Sequence, residues 1–477
     1  MKKIILTLLL LTIAFSGYCQ NDFIQIETNK TLSLFSFLET ASDQRGISLS
    51  FKEYINKNTI GNTEFQTLIE EYSILNLDYQ AKRDGYPDSR YIYLHTKDLI
   101  WIAASNSTNI SDFSTRIIGI LPHETHIRLI RLLNQIEPFY DDLVWNDAQQ
   151  NIQRIESQLE GYKDEIGELF LKISKFYRTK WHKEMPFKIS LYPIPLEKGH
   201  TTAVPKGNVL ICSVLSQSED EYLSTLGVII HEMCHILYRE QSIEVQHEID
   251  KWFSNNTSDY NNLAYSYINE GLATVLGNGW AYKQLHGSLD TSEWYNNTYI
   301  DGFARVLYPL TKQFLFSARM LDSSYVKEAI NLFEQKFPKA IYDTNILMTD
   351  LVMYANTEEQ KEIDLIRYEL RKKFRVISLW FSTPILDEQS IQNFKKEKTT
   401  KLFIIDSKHK ETLQVINSHF VDFNFAFEMN SFQTFFDKES KSNVIVIILD
   451  NINSIGKGFD TLSKVEFLDK NVFIKIE

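Results

Sequence analysis

The residues best placed to do chemistry are His231, Glu232 and His235, which form an H-E-x-x-H pattern inside an apolar run with helical periodicity. Residues four positions apart lie on the same face of a helix, so both imidazoles are expected to face one point. Two neutral imidazoles at that spacing suit a zinc ion, Zn²⁺, which also needs a third protein ligand and an open position for water. Glu232 adjoins the first histidine and is placed to act as general base toward that water. The pattern therefore predicts one zinc ion and hydrolytic chemistry.

A competing interpretation makes the two histidines hydrogen-bonded core residues and Glu232 a surface charge. It would leave three titratable groups on an otherwise apolar helix, where their removal from water is costly. In a chain with 11 histidines, the pattern is expected by chance in about one sequence in fifty. We therefore favour the metal site. A second pair, His123 and His126, has a different spacing and is interpreted as the first turn of a helix that follows Pro122.

Three positions in the chain are candidates for the third zinc ligand. The metzincin pattern would require a histidine where this chain has Gln241, which excludes that pattern. His247 is within reach along the chain, but it lies in the charged run 244–250, which is typical of a solvated helix face. Glu270 is favoured because small and apolar residues follow it at helical spacing and would let a second helix approach the first closely: Ala273, Leu276 and Gly277.

The H-E-x-x-H pattern, followed at 269–274 by N-E-G-x-A-T, resembles the gluzincin branch of zinc metallopeptidases. The resemblance covers about residues 187–315 and is specific at these two motifs. It implies a zincin-like catalytic fold, with water activated by Glu232 and zinc held by His231, His235 and Glu270. The 34 residues between His235 and Glu270 exceed the spacing of the thermolysin type, so the subfamily stays open.

The same resemblance implies a tyrosine or histidine on a later helix that donates a hydrogen bond to the oxyanion of the tetrahedral intermediate. Tyr308 is the candidate for this role, and His286 is the weaker alternative. The competing interpretation of Tyr308 is a buried tyrosine whose hydroxyl is bonded locally.

Two strands and a helix are expected to position the motif. Residues 187–192 alternate in polarity, 209–214 are mostly apolar, and the turn-forming stretch 205–208 indicates a hairpin here. An apolar stripe then predicts a core-facing helix from about Glu219 to Tyr238: Leu223, Leu226, Ile230, Met233 and Leu237.

Helical periodicity also marks residues 127–181 upstream and residues 310–337 and 346–374 downstream. After Pro384 the pattern changes to that of a small α/β domain, with strands at 401–406, 443–450 and 472–476 and a helix at 410–419.

These patterns predict an α+β protein. It would have a mainly helical, zincin-like catalytic domain with a small sheet before the motif helix, and a small C-terminal α/β domain. The expected boundaries are a signal peptide at 1–19, an N-terminal mixed and helical region at 20–181, the metallopeptidase domain at 182–380 and the α/β domain at 384–477.

The N-terminus has the pattern of a secretory signal peptide. Lys2 and Lys3 precede an apolar run, and the small residues Gly17 and Cys19 indicate cleavage after Cys19. Lipidation of Cys19 is a less favoured alternative because the bulky Tyr18 precedes it. A membrane anchor is also disfavoured because the run is shorter than the ~20 residues that a spanning helix needs. We therefore expect export to the periplasm or the extracellular space.

The composition is that of an ordinary globular protein, with 43% hydrophobic and 23% charged residues. The formal net charge of −12 argues against nucleic acid as a partner, because phosphate binding requires clustered lysine and arginine. After removal of the signal peptide, only Cys212 and Cys234 would remain, which excludes a disulfide scaffold at this chain length. Cys234 is expected to pack as a small apolar residue.

The leading hypothesis is an exported zinc metallopeptidase that acts on a peptide or protein substrate. Two hypotheses from other classes stay open. One is a non-catalytic binding protein that keeps a zincin fold, and the other is a zinc hydrolase of non-peptide amides.

Overall fold

The computed structural model describes residues 23–42, 48–87, 89–90, 93–199, 201–219, 221–357, 359–407, 409–420, 422–468 and 472–476. The expected signal peptide at 1–19, with Cys19, lies outside these residues. Helices predominate in the described part of the chain and three sheets accompany them, which confirms the α+β class. None of the helices in that part is long and apolar enough to cross a bilayer.

The chain divides into two compact units. The first runs through Asp250 and resumes at Asn269–Asp322, and the second combines Lys251–Ile268 with the chain from Ser323 onward. These limits differ from the boundaries expected after residue 181 and before residue 384.

The first unit contains a four-stranded sheet of order β1-β4-β6-β5. Strands β1 (Ile24–Thr28), β4 (Phe187–Ile194) and β6 (Val209–Leu215) are parallel, and β5 (Ala203–Lys206) is antiparallel to β6. Every residue of β4 and β6 is buried, as is typical of parallel strands that are covered on both faces. The two expected strands are β4 and β6, and because they are parallel they do not form a hairpin with each other. The hairpin here joins β5 to β6 through a turn at Gly207 with a φ of 56°.

Strand β1 explains why the N-terminal region and the motif share one unit. It pairs with β4 from Ile24 opposite Phe187 to Thr28 opposite Leu191, across the boundary expected at 181. A separate small sheet pairs β2 (Gln80–Lys82) with β3 (Tyr93–His95).

Helices form most of the rest of the first unit, and the helices before β4 share a buried cluster with the sheet. Ile194 and Ile211 of the sheet pack in that cluster with Phe35, Phe37 and Leu133 of the helices. The helices that precede β4 are Lys30–Ala41, Leu49–Asn58, Thr63–Ser73, Thr96–Ser105, Ile110–Arg116, His123–Tyr140, Asn146–Glu160 and Lys163–Tyr177, with a π-helical turn at Asp141–Trp145. After β6 come the motif helix (Glu221–Arg239), Ile243–Ser254, the Glu270 helix (Asn261–Thr274), a π-helical segment (Val275–Ala281), Tyr282–His286 and Thr298–Phe316.

The second unit contains a six-stranded sheet of order β12-β10-β11-β9-β7-β8. Five strands run in the same direction, and β10, which lies between β12 and β11, is antiparallel to both. The strands are β7 (Asp350–Ala355), β8 (Ser378–Ser382), β9 (Thr400–Asp406), β10 (Ser431–Asp437), β11 (Ser442–Leu449) and β12 (Phe473–Lys475). The helices are Ser323–Lys336, Thr344–Leu347, Gln360–Lys373, Glu388–Lys396, Lys410–His419 and Ile455–Ser463, with 3-10 turns at Ala340–Tyr342 and Ile452–Ser454.

The expected continuous helix at 346–374 is wrong in its first part. Residues Asp350–Ala355 form β7, and helix resumes only at Gln360–Lys373. A short buried run such as Leu351-Val352-Met353 fits a buried strand as well as a helix segment, so apolar periodicity alone does not separate them. Because β7 and β8 belong to the same sheet as β9, this α/β arrangement begins before residue 384.

Candidate metal centre

One face of the motif helix is strongly apolar and packs in the core. This packing fixes the helix and places His231 in buried surroundings. Ile230, Met233, Cys234 and Leu237 are fully buried along this helix. His231 is also buried, with 8% of its surface exposed. The helix runs over Glu221–Arg239, close to the range expected from the sequence.

The Glu270 helix and the π-helical segment after it pass close to the motif helix. At Gly277, a β-carbon would lie 2.8 Å from both the Cα and the backbone nitrogen of His231. Only glycine permits this approach without displacing one of the two backbones. A π-helical turn of this kind is often found at functional sites. The small residues that follow Glu270 therefore do what the sequence predicted, which is to let the second helix come near.

Three ligand-type side chains converge between these helices. The Nε2 atoms of His231 and His235 are 3.2 Å apart. The two carboxylate oxygens of Glu270 face one histidine each, with Oε2 3.6 Å from Nε2 of His231 and Oε1 3.5 Å from Nε2 of His235. A tetrahedral zinc site with bonds of ~2.0–2.1 Å needs ligand atoms about 3.3 Å apart, so the observed separations suit one ion.

Glu232 lies beside this set. Its carboxylate and one ring nitrogen of each histidine all lie within 4.8 Å of one another. The three residues that the H-E-x-x-H pattern singled out are thus brought together, as are the two histidines and Glu270.

Two asparagine side chains orient the imidazoles. The side-chain oxygen of Asn278 accepts from Nδ1 of His231 at 3.0 Å, and that of Asn269 accepts from Nδ1 of His235 at 3.1 Å. In a neutral imidazole, a proton on Nδ1 leaves Nε2 as the lone-pair acceptor. Both lone pairs then point toward the carboxylate of Glu270. The metal-facing tautomer of each ring is therefore set by a hydrogen bond at the opposite nitrogen.

The donor set fits a cation. With Nδ1 of each ring as donor, the two Nε2 atoms are 3.2 Å apart and face the carboxylate of Glu270. The Oε2 atom of Glu270 is buried and has no hydrogen-bond partner among the described residues. A buried charged oxygen without a partner is costly, and a divalent ion between the three side chains would satisfy all of them.

The electrostatics of the site separate the two carboxylates. Burial raises the pKa of Glu232 above its usual value, although His235 and His231 lower it in part. Burial would also raise the pKa of Glu270, but the interactions with His231 and His235 outweigh it and hold that pKa well below its usual range. Burial lowers the pKa of His235, and Glu270 more than offsets this, so the net shift is upward. Glu270 is thus suited to stay ionised as a ligand, and Glu232 is suited to exchange a proton.

Tyr308 packs beside Gly279, one residue after Asn278, and makes no hydrogen bond to His231, His235 or Glu270 in the described part of the chain. It is on the helix Thr298–Phe316, with its ring 5.8 Å from that of Trp294 and close to Gly279. Its hydroxyl is buried and has no hydrogen-bond partner among the described residues. The locally bonded hydroxyl of the competing interpretation is therefore not observed there.

The other histidines considered from the sequence lie elsewhere. The Nε2 atom of His247 is 2.8 Å from the carbonyl oxygen of Gly85. His286 is exposed and stacks on Tyr282 at 4.1 Å, and His126 bonds Ser114 in the first turn of the helix that begins at His123. None of these contacts involves the His231–His235 pair.

Sequence reasoning missed Asn269, Asn278 and Tyr295. Tyr295 stacks on the ring of His231, with a centroid distance of 5.8 Å and an interplanar angle of 26°. The neighbouring Trp294 is fixed by its backbone N–H, which donates to Asp301 at 2.7 Å, and by its indole N–H, which donates to the carbonyl of Asp290 at 2.9 Å. The position of Asn269 directly before Glu270 could have indicated that it lies in the site. Tyr295 comes from a loop without a motif, so nothing in the sequence indicates it.

Cys212 and Cys234 are both buried and unpaired. Burial raises the pKa of each thiol far above its usual value. Both are therefore poor nucleophiles, and the expected apolar packing of Cys234 is confirmed.

Comparisons with protein-family models, with curated proteins and with solved structures found no match to this chain.

Proposed function

We propose that this chain is an exported zinc-dependent metallopeptidase of the gluzincin type. One observation carries the proposal. The Nε2 atoms of His231 and His235 and the carboxylate of Glu270 lie 3.2 to 3.6 Å apart. A second carboxylate, that of Glu232, lies beside them. Three ligands with one position left open is the arrangement of a catalytic zinc site, whereas structural zinc sites use four protein ligands.

The residues divide into holding and reacting groups. His231, His235 and Glu270 would hold the ion, which when bound would lower the pKa of a water molecule and polarise the scissile carbonyl. Glu232 accepts the proton from the attacking water and delivers it to the leaving amine, a role that suits a carboxyl with a raised pKa. Tyr308, with its unpartnered hydroxyl, is our candidate donor to the developing oxyanion.

A peptide or protein is the proposed substrate class. The proposal that the substrate is a peptide rests on the resemblance of the two motifs to gluzincins, and export rests on the N-terminal sequence pattern. Other amides present the same carbonyl chemistry, so hydrolysis of simple amides is measured beside that of the peptide library.

The test compares the wild type with Glu232→Gln. The substitution keeps the size and the polarity of the side chain but removes the base. We expect about one zinc ion per chain in both proteins by elemental analysis. Hydrolysis of a mixed fluorogenic peptide library should fall by at least about a thousandfold in the variant. Glu244→Gln, an exposed residue on the helix Ile243–Ser254, is the matched control and should keep full activity.

Equal hydrolysis by the wild type and Glu232→Gln would overturn the proposed base. Zinc-dependent turnover of simple amides, with peptides left intact, would overturn the proposed substrate class. A protein that binds zinc and hydrolyses neither would be a non-catalytic binding protein.

A further inference from the structure

The six-stranded sheet of the second unit has an open edge at β8. This strand is the last in the order β12-β10-β11-β9-β7-β8 and forms its ladder with β7 alone. No other backbone hydrogen bond in the described part of the chain involves residues 379–382. One side of β8 therefore offers free backbone donors and acceptors.

Large apolar side chains are exposed at this edge. Trp380, in the middle of β8, is 61% exposed, and Ile377, just before it, is 73% exposed. Val352, the residue of β7 that faces Trp380 in register, is only 5% exposed. Leu379 and Phe381 point to the opposite face and pack on the core. The exposure thus belongs to the edge itself and not to a loosely packed sheet.

The usual protection of an edge strand is missing at β8. Natural edges are commonly short or carry charged residues that prevent pairing. The opposite edge follows this rule, since β12 has three residues and ends in Lys475. In contrast, β8 has five residues, Ser-Leu-Trp-Phe-Ser, and none of them is charged.

The sequence of β8 is nearly the same in both directions. In an antiparallel pair of two β8 strands centred on Trp380, serine faces serine, Leu379 faces Phe381, and Trp380 faces its own copy. Aromatic cross-strand pairs are among the favourable ones. A symmetric dimer requires such a self-complementary surface. We propose that β8 is a dimerisation edge, where the sheet continues into β8 of a second copy of this chain.

The charges beside β8 are complementary under the same symmetry. Exposed Arg371 and Arg375 precede the strand and have no ion-pair partner among the described residues. Exposed Asp387 and Glu388 follow it. Antiparallel pairing sets the start of one strand beside the end of the other, so a basic flank of each copy meets an acidic flank of its partner.

The dimer is weak because one five-residue strand is a small contact. Interfaces at the low end of the size range are transient. We expect dissociation with a midpoint on the order of tens of micromolar. The midpoint should rise with salt because the flanking charges are exposed.

The first test is sedimentation equilibrium of the full chain from about 1 to 200 μM. Trp380→Lys should raise the dissociation constant at least about tenfold, because central tryptophans dominate small interfaces. Phe316→Lys is the matched control, because Phe316 is 94% exposed at the end of the helix Thr298–Phe316 and not on β8. This variant should dimerise as the wild type does. A wild type that stays monomeric at all concentrations overturns the proposal, because β8 then does not pair with a second copy of the chain. A dimer that survives Trp380→Lys, or one that both lysine variants abolish, also overturns it.

The second test examines the register and does not depend on comparing stabilities. Facing residues of an antiparallel pair have Cα atoms about 4.5–5.5 Å apart, within the range of a disulfide. Under mild oxidation, Trp380→Cys should therefore cross-link to its own copy. Ile377→Cys should not, because position 377 faces position 383 in the proposed register. Equal cross-linking of the two variants, after subtraction of the parent chain, would overturn the register.

Discussion

The side-chain oxygen of Asn278 accepts a hydrogen bond from Nδ1 of His231 at 3.0 Å, and this bond fixes which ring nitrogen faces His235 and Glu270 in the candidate metal site. Loss of such an orienting partner typically weakens metal binding 10- to 100-fold. We therefore expect Asn278→Ala to weaken zinc affinity by about that factor, measured by competition with a chromophoric chelator. Asn278→Asp keeps an acceptor oxygen and should restore most of the affinity. The exposed Asn134→Ala is the control and should change nothing.

If Asn278→Ala and Asn278→Asp lowered the affinity equally, the residue would act through packing and not through the hydrogen bond.

At Gly277 the π-helical segment lies close to the backbone of the motif helix. In Gly277→Ala the new β-carbon would lie 2.8 Å from two backbone atoms of His231, so the two segments must separate. We expect a loss of about 1–3 kcal/mol in the free energy of unfolding, together with lower zinc occupancy. Thermal unfolding and elemental analysis measure the two effects.

The motif helix supplies the control for Gly277→Ala. A β-carbon at Gly227 would have no neighbour within 4 Å, and Gly227→Ala is expected to stabilise the helix by about 0.5–1 kcal/mol. Equal melting temperatures for the two alanine variants would contradict the close-approach argument.

Removal of the Tyr308 hydroxyl should separate catalysis from stability. Because this hydroxyl is buried without a hydrogen-bond partner among the described residues, Tyr308→Phe should leave the melting temperature unchanged or slightly higher. If it donates to the oxyanion, kcat falls about 100- to 1,000-fold with little change in KM. Tyr354→Phe removes a buried hydroxyl of the second unit that also lacks a hydrogen-bond partner in the described part of the chain, and it should leave kcat unchanged. A wild-type kcat in Tyr308→Phe would exclude the proposed donor.

The buried ammonium of Lys401 should make the free energy of unfolding rise with pH. Its ammonium is fully buried and donates to Ser440 at 2.9 Å and to Ser442 at 2.6 Å, and burial lowers the pKa of Lys401 to about 8. The unfolded chain has the ordinary pKa of about 10.4, so between about pH 8 and pH 10.4 the unfolded state binds more protons and stability rises with pH. The cost of the buried charge is fully present below pH 8 and is relieved above that range.

The comparison for Lys401 is Lys401→Met, which lacks the titrating group. The difference in unfolding free energy, wild type minus variant, should increase by on the order of 3 kcal/mol between pH 7.5 and pH 10.5. Urea unfolding at each pH measures it, and any constant offset from the lost serine contacts cancels. Parallel pH curves for the two proteins would show that Lys401 titrates normally.

The parts of the candidate site that depend on local spacing were predictable from the sequence. Residues four apart on a helix share a face whatever surrounds them, so His231 and His235 were expected to converge. Glu270 followed from the small residues after it and from the motif resemblance. Asn278 and Tyr295 were not predictable because a π-helical turn and a loop bring them to His231, and neither has a periodic signal.

The same limit applies to the fold. The buried strands β4 and β6 and the motif helix were expected close to their observed positions because their apolar patterns are strong. The pairing of β1 with β4 was missed because pairing of strands so distant in sequence leaves no local mark. The helix predicted over β7 is wrong because the apolar run of this strand is too short to define a period.

The segment Lys251–Ile268, which links His235 to Glu270 along the chain, groups with the second unit. Within that unit, the side-chain nitrogen of Asn262 donates to the carbonyl of Ser440 at 2.9 Å, across 178 positions of sequence. During translation, the ribosome therefore releases all three proposed zinc ligands before residues 440 and 441 emerge. Proteins generally fold from the N-terminus as they are made. The segment between the ligands therefore makes its contacts with Glu334 and Pro338 first and completes them with Ser440 only late in synthesis.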